Sequence, residues 1–352
     1  MDWMRVAGVM SLLPLLSCGR PPEALPEPDG GSRVDAGAST DAGTGHDAGS
    51  LDAGELTLTP TPTEAVCLAS GWRLTGREVG GHPRRVLSLQ PAGPWTKGAV
   101  LVLHGGGGQA DQFCTGGTLV QPQVAFAREA VRRGFAVFAL DSTTNVVVDE
   151  QGRPCGKRFD FSVLPRANVD LPFIEWVAKA LVPQLRPAGS RPEVFITGLS
   201  TGGAMTTRAA THFDDVFTAF APVSAVDPYG TDAICDSSLS PRDSAVGILV
   251  DRETRREIIE DDACASMAYP NESPWSTTRT AVKPTVRQFH DEKDGIVDLS
   301  CMRKLSAQLQ TNGYPFQAPF LLQTPGTKNA LLHLWRASYN APLLDFFAGF
   351  TP

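Results

Sequence analysis

The stretch that most constrains the fold of this chain is VFITGLSTGGAMTTRAAT, residues 194 to 211. Its first three residues are β-branched or aromatic and follow a loop rich in Pro, Gly and Ser, which is typical of a short buried strand. Gly198 to Gly202 then match G-x-S-x-G, a pattern in which a strained turn holds a serine hydroxyl above a sheet. Small residues continue into a helical pattern that can pack closely on a sheet. The stretch therefore predicts strand, sharp turn and helix, with Ser200 as a nucleophile.

A second glycine motif, HGGGG, directly follows the apolar run of residues 99 to 103, which predicts a buried parallel strand. Glycines after a strand can cradle a phosphate, but the Lys-Ser/Thr pair of a phosphate-binding loop is missing here. The pattern H-G-G-G matches instead a loop that supplies a backbone N–H to an oxyanion, opposite the N–H of the residue after the nucleophile. We therefore predict Gly105 or Gly106, together with Thr201, as oxyanion donors. His104 is interpreted as a support for the loop.

The acid partner is sought after the nucleophile, because in the fold that carries G-x-S-x-G the order along the chain is nucleophile, acid, histidine. Asp294 follows a predicted strand over residues 285 to 289, and its loop lies at the carboxyl end of that strand. Three other aspartates remain as alternatives for the acid: Asp251, Asp291 and Asp298. Asp298 also has the sequence context of a helix N-cap.

The base must come from the histidines that follow Ser200, which are His212, His290 and His333. His212 falls on the predicted helix after the elbow, and His290 precedes the acid loop. His333 comes last in the chain and is the predicted base. Trp335, two residues further on, is predicted to bind substrate, with packing in the core as the alternative.

The rest of the folded chain alternates predicted strands and helices. Residues 64 to 98 indicate an edge hairpin, and a helix closed by Gly134 leads into a strand. A helix capped by Asp170 then leads to the elbow strand. Residues 226 to 283 have little periodicity and are expected to form a lid or cap insertion. The pattern predicts an α/β class fold with a mostly parallel central sheet flanked by helices.

The first 63 residues differ from the remainder of the chain. An arginine and an apolar run lead to LLSC, which predicts a lipoprotein signal peptide over residues 1–17 and lipidation of Cys18. An ordinary secretory signal is the alternative. Residues 18–63 are rich in Asp, Ala, Gly and Pro and predict a flexible tether that cannot bury a core. We expect an exported protein, membrane-anchored through the lipid, with residues 64–352 as the catalytic domain.

Composition narrows the classes of function. With 42% apolar residues among 352, the chain can bury a full core as one large domain. Acidic residues outnumber basic ones by 38 to 31, which argues against a nucleic-acid partner. No C-x-x-C pair indicates zinc, and neither a metal nor a cofactor is expected. Six cysteines remain after Cys18, an even number that permits disulfides in an exported protein; they are Cys67, Cys114, Cys155, Cys235, Cys264 and Cys301.

Taken in order, the strand with HGGGG, then GLSTGGAMT, HDEKDGIVD and HLW resemble the secreted polyhydroxybutyrate depolymerase and feruloyl esterase group of α/β-hydrolases, near carbohydrate esterase family 1. The resemblance covers about residues 95 to 350. It implies the α/β-hydrolase fold and hydrolysis of feruloyl, acetyl or short hydroxyalkanoate esters by Ser200, Asp294 and His333. The family usually has His-Gly before the acid loop, where this chain has His290-Asp291. A serine peptidase and a non-catalytic binding lipoprotein are the alternative functions.

Overall fold

The fold is taken from a computed structural model that describes residues 56–142, 147–148, 154–161, 168–228, 249–250, 257–258 and 282–351. The predicted signal peptide, the lipidation of Cys18 and the roles suggested for Cys235, Cys264 and Asp251 lie outside these residues. Most of the predicted cap insertion lies outside them too. Among the helices of the described ranges, none has the length and apolar character needed to cross a membrane.

The main sheet contains eight strands in the described part of the chain. They are β1 (Arg73–Val79), β2 (His82–Leu89), β3 (Ala99–Leu103), β4 (Ala136–Asp141), β5 (Val194–Leu199), β6 (Ala219–Val223), β7 (Thr285–Asp291) and β8 (Phe316–Leu322). Their order across the sheet is β1-β2-β4-β3-β5-β6-β7-β8. The first three pair antiparallel, and the pairs from β4 to β8 are parallel. The predicted edge hairpin and mostly parallel sheet are therefore confirmed.

Helices cover both faces of this sheet. They are α1 (Pro62–Ala69), α2 (Gln121–Arg132), α3 (Leu171–Trp176), α4 (Val182–Leu185), α5 (Thr201–His212), α6 (Leu299–Thr311) and α7 (Ala337–Ala348). Because successive strand residues point to opposite faces, β3 sends Leu101 and Leu103 into one apolar core and Val100 and Val102 into the other. Helices α3 to α6 pack on the first face, and α2 and α7 pack on the second. The sheet is thus buried on both sides, as its continuous apolar strands require.

The folded region reaches back before residue 64. Helix α1 begins at Pro62 with a capping box, in which Thr61 and Glu64 each bond the backbone of the other. The N–H of Leu56 also donates to the carbonyl of Gly76 in β1. Cys67 of α1 forms a disulfide with Cys114, one of the pairings that the sequence left open.

The predicted position of Asp170 before a helix is confirmed, but its side chain has a different role. Asp170 occupies the N-cap position of α3, but its side chain makes no capping bond. Its Oδ1 instead accepts from Arg84 at 2.7 Å, and both side chains are fully buried. Asn168 Oδ1 accepts the N–H groups of Asp170 and Leu171 in its place. The buried charge of Arg84 requires the Asp170 carboxylate as its partner, whereas the helix N-terminus can be capped by Asn168.

Candidate active site

Ser200 lies on the sharp turn that the sequence predicts between β5 and α5. Its backbone has φ 55° and ψ −118°, and in the described residues only Ser224 shares a positive φ without being glycine. The N–H of Ser200 donates to the carbonyl of Val223 at the end of β6 at 2.9 Å. A non-glycine residue in this region is strained and persists only where the surroundings hold it. The conformation of Ser200 is therefore strained, and the packing around the turn must offset the cost in conformational energy.

The glycines around Ser200 are required by close backbone packing. A Cβ on Gly202 would lie 2.3 Å from the carbonyl oxygen of His104, and one on Gly198 would lie 2.5 Å from the carbonyl oxygen of Gly202. A Cβ on Gly203 would lie 2.8 Å from the Cβ of Ala225. Separations this short do not occur between real Cβ atoms and their neighbours. The first turn of α5 consequently packs directly on β3 and β6, as the small residues predict.

The HGGGG loop approaches the same turn from β3. A Cβ on Gly105 would meet Leu199, and a Cβ on Gly106 would lie 3.4 Å from the Cγ2 of Thr201. The N–H of Gly107 donates to the carbonyl of Lys157 at 2.8 Å, and that of Gly108 to the carbonyl of Gly105 at 3.0 Å. Over the described part of the chain, the N–H groups of Gly105 and Gly106 have no backbone acceptor. Of the four glycine N–H groups in this loop, those of Gly105 and Gly106 are therefore the ones available to bind a substrate oxygen.

His104 supports this loop in the manner predicted from the sequence. Its buried ring donates from Nδ1 to the carbonyl of Gly105 at 2.8 Å and accepts the N–H of Ser142 at Nε2, at 3.2 Å. Burial lowers the pKa of His104, which keeps the ring neutral and suits these two roles. Because a trans peptide points its C=O and N–H in opposite directions, holding the Gly105 carbonyl turns the Gly106 N–H away from His104.

Asp294 and His333 form a buried hydrogen-bonded pair. His333 Nδ1 lies 2.8 Å from Asp294 Oδ2. The other carboxylate oxygen accepts the N–H groups of Ile296 at 2.7 Å and Val297 at 2.9 Å. Burial alone would raise the pKa of Asp294, but the charge and hydrogen bond of His333, with the neighbouring donors, hold that pKa below its usual value. The carboxylate is thus ionised near neutral pH and fixes the tautomer of His333.

The alternative acids have other partners. Asp298 caps α6 by accepting the N–H of Ser300 at 2.8 Å, as its sequence context predicts, and pairs with Lys328. Asp291 accepts the N–H of Lys293 at 2.9 Å and the hydroxyl of Thr324. Of the aspartates described by the structure, Asp294 is the one that bonds His333.

The other two histidines have places of their own. His212 ends α5, with its ring against Phe213. His290 is fully buried, donates from Nε2 to the carbonyl of Val297 at 3.1 Å and lies 3.9 Å from Asp294. His290 therefore supports the acid loop from behind, while His333 is the histidine bonded to the acid.

All three predicted triad residues follow the carboxyl edge of the parallel strands. Strands β5 and β7 are separated by β6, and adjacent strands are spaced about 4.8 Å apart, so their ends lie roughly 10 Å apart. The imidazole of His333, hydrogen-bonded to Asp294 on one side and to Ser200 on the other, would span most of this distance between the strand ends. The described residues include no hydrogen bond between Ser200 Oγ and His333. Such contacts are often long before a substrate binds.

The prediction that Trp335 binds substrate is wrong, and its alternative is right. Trp335 is 1% exposed, its Nε1 donates to Asn340 Oδ1 at 2.8 Å, and its ring packs against Phe113 and Phe126. The indole fills the core on the α2 side of the sheet, shortly before α7 begins at Ala337. No group of His, Cys, Asp and Glu in the described ranges could hold a metal ion.

Asn329 and Gly295, for which the sequence predicted no role, join the acid loop to the histidine loop. The N–H of Asn329 donates to the carbonyl of Lys293 at 3.0 Å, and the N–H of Gly295 donates to the carbonyl of Asn329 at 3.1 Å. The side chain of Asn329 caps the short 3-10 helix Ala330–His333 through the N–H of Leu331 at 2.8 Å. The glycine directly after the acid, Gly295, could have indicated this contact from the sequence, because such glycines often mark the close approach of another backbone segment.

No protein-family model matches the chain, and no curated protein sequence matches it. Among solved structures, the esterase Est22 has 18% identity and a TM-score of 0.51, over 81% of this chain and 83% of that one. The esterase Pf2001 of Pyrococcus furiosus has 12% identity and a TM-score of 0.50, over 86% and 100%. An acylaminoacyl peptidase of Pyrococcus horikoshii has 17% identity and a TM-score of 0.50, and the match spans 79% of this chain and 41% of the peptidase. At these identities the likeness concerns the fold, and together with the sheet order and the elbow turn it shows that the chain has the α/β-hydrolase fold.

Proposed function

We propose that the protein is a serine esterase that hydrolyses carboxylic esters through an acyl-enzyme intermediate. The observation that carries the proposal is the 2.8 Å bond between His333 Nδ1 and the buried carboxylate of Asp294. It occurs at the sheet edge where Ser200 is held on a strained turn with φ 55°. A carboxylate on one imidazole nitrogen leaves the other nitrogen unprotonated and able to act as a base. Nucleophile, base and orienting acid are then present in the required chain order.

In the first half-reaction His333 Nε2 takes the proton from Ser200 Oγ as the oxygen attacks the ester carbonyl. Asp294 stabilises the imidazolium that forms, and its two backbone donors keep the carboxylate from turning away. The carbonyl oxygen becomes an oxyanion between the N–H of Gly105 or Gly106 and the N–H of Thr201 at the start of α5. His333 then protonates the leaving alcohol, and the acyl group stays on Ser200.

In the second half-reaction water attacks the acyl-enzyme. His333 accepts a proton from the water, the same N–H groups stabilise the second oxyanion, and Ser200 leaves with its proton restored. The free acid is the second product. The neutral His104 beneath the glycine loop holds the donors in place in both steps, so they need no rearrangement when charge develops.

The choice of an ester over an amide rests on the sequence resemblance. The solved structures with this fold include two named as esterases and one named as a peptidase, so the fold alone favours neither. The motifs around Ser200 resemble those of feruloyl esterases and polyhydroxybutyrate depolymerases. We infer that the substrates are feruloyl, acetyl or short hydroxyalkanoate esters, presented as soluble or aryl esters.

A substrate panel tests this proposal. We expect turnover of p-nitrophenyl butyrate, and on a panel of methyl ferulate, acetylated xylan, hydroxybutyrate oligomers and peptide amides we expect hydrolysis of at least one ester. Ser200→Ala should lower kcat by more than about 1000-fold, as triad deletions do. Ser70→Ala, an exposed serine after α1, is the matched control and should keep wild-type kcat. Hydrolysis of amides without any ester would replace the esterase with the peptidase.

A further inference from the structure

The hydroxyl of Thr201 is buried, yet within the part of the chain that the structure describes it has no hydrogen-bond partner. Other threonines of α5 behave differently. Thr206 Oγ1 donates to the carbonyl of Gly202 at 2.8 Å, and Thr207 Oγ1 donates to the carbonyl of Gly203 at 3.4 Å. A buried hydroxyl without a partner loses its hydration and gains nothing in exchange. Thr201 therefore has a buried donor that a bound group could satisfy.

The position of Thr201 explains why the helix supplies no acceptor. Thr206 and Thr207 bond the carbonyl four residues earlier, one turn back along α5. Thr201 is the first residue of α5, and four residues earlier the chain is still in β5. The carbonyl of Thr197 belongs to the sheet and not to the helix. A threonine directly after the elbow serine thus keeps a free hydroxyl as a consequence of the turn.

The Thr201 side chain also lies beside the glycine loop. The Cβ position of Gly106 is 3.4 Å from Thr201 Cγ2 and 3.6 Å from Thr201 Oγ1. The N–H of Gly106 has no acceptor among the described backbone groups, and the N–H of Thr201 lies at a helix N-terminus. The unpartnered hydroxyl is therefore adjacent to the two N–H groups that the proposed mechanism directs at the substrate carbonyl.

We propose that the Thr201 hydroxyl is a third donor to the oxyanion, beside the backbone N–H groups of the glycine loop and of Thr201 itself. This inference rests on the proposed function. The hydroxyl keeps its proton and donates one hydrogen bond as negative charge develops on the carbonyl oxygen. Because the donor is already desolvated, it gains its partner only when the tetrahedral intermediate forms. Interactions made chiefly in the transition state raise kcat with little effect on KM.

Three variants separate this role from a structural one. Thr201→Val keeps the shape and removes the hydroxyl, and should lower kcat for p-nitrophenyl butyrate by about 100-fold with KM nearly unchanged, as for loss of one oxyanion donor. Its Tm should stay level or rise, because an unsatisfied buried group is removed. Thr201→Ser keeps the hydroxyl and should retain kcat. Thr207→Val is the matched control, a buried threonine on the same helix, and should leave kcat and KM unchanged.

The outcomes distinguish this inference from the proposed function. If wild type hydrolyses esters and Thr201→Val keeps its kcat, the third donor is wrong and the esterase stands. A parallel fall of kcat and Tm in Thr201→Val, or an equal loss of kcat in Thr201→Ser, would show a packing role and would also overturn it. If wild type hydrolyses no ester on the panel, the proposed function fails and this inference fails with it.

Discussion

Two buried histidines next to the site, His104 and His290, differ from His333 in their partners. Each bonds a backbone carbonyl, and their nearest carboxylate oxygens lie 3.8 and 3.9 Å away. Burial lowers the pKa of both rings, and for His290 the nearby His333 lowers it further. The folded protein therefore holds both imidazoles neutral at a pH where the unfolded chain protonates them. His333, in contrast, is hydrogen-bonded to the carboxylate of Asp294, the arrangement that an imidazole base requires.

Acidification is expected to destabilise the fold through these two rings. Because their folded pKa values lie below the unfolded value of about 6.5, the unfolded state binds more protons below that pH. The free energy of unfolding should be highest above pH 6.5 and fall below it, by about 1.4 kcal/mol per pH unit for each histidine. Urea unfolding at pH 7.5, 6.5 and 5.5 measures the slope. His290→Gln should show a shallower slope, and an unchanged slope would mean that His290 does not contribute to the pH dependence of the stability.

Among the structural elements, those with a continuous local pattern were predictable. Strand β3 was predicted over its observed residues, and the elbow was predicted from its glycines and small residues, because both patterns reflect burial along a single segment. Features that depend on distant residues were not. The pairing of Asp170 with Arg84, 86 positions away, and the burial of Trp335 leave no local signal. Helix α1 (Pro62–Ala69) was not predicted: its first two residues fell in the expected tether and the others in the expected edge hairpin, because its capping box follows a low-complexity run.

The contact between the acid loop and the histidine loop makes a specific prediction at Gly295. A Cβ there would lie 2.6 Å from the backbone carbon of Asn329, so Gly295→Ala must push the two loops apart. A displacement of about 1 Å at the Asp294–His333 pair should lower kcat by roughly 100-fold. Gly93→Ala, at a glycine with open space around its Cβ position, is the control and should keep wild-type kcat. Normal kcat in Gly295→Ala would show that the loops need no such contact.

For the molecule as a whole, the disulfide joins the beginning of the folded chain to the region of the glycine loop. Cys67 lies in α1, and Cys114 directly follows the short 3-10 helix Ala110–Phe113, shortly after HGGGG. Both sulfurs belong to the apolar core on the α2 and α7 face. Thr63 and Asp111 add a hydrogen bond between the same two segments. The N-terminal helix thereby restrains the segment directly after the glycine loop, which holds the proposed oxyanion donors.

Removal of this disulfide is expected to lower the stability of the domain. The bridged cysteines are 47 residues apart, and a loop of that length corresponds to about 4 kcal/mol in the chain-entropy account. We expect Cys67→Ala/Cys114→Ala to lose about that free energy of unfolding in a denaturant titration. Val66→Ala, at an exposed position on the same helix, should remain close to wild type. Equal stability of the double variant and wild type would mean that the bridge contributes nothing to the fold.

The proposed mechanism depends on Ser200 being a nucleophile that His333 activates. Mass spectrometry can locate the covalent adduct that a fluorophosphonate forms with the whole chain. We expect one adduct, on the peptide that contains Ser200, with labelling abolished in Ser200→Ala and greatly slowed in His333→Ala. An adduct on another residue, or a wild-type protein that hydrolyses no ester and takes up no label, would contradict it.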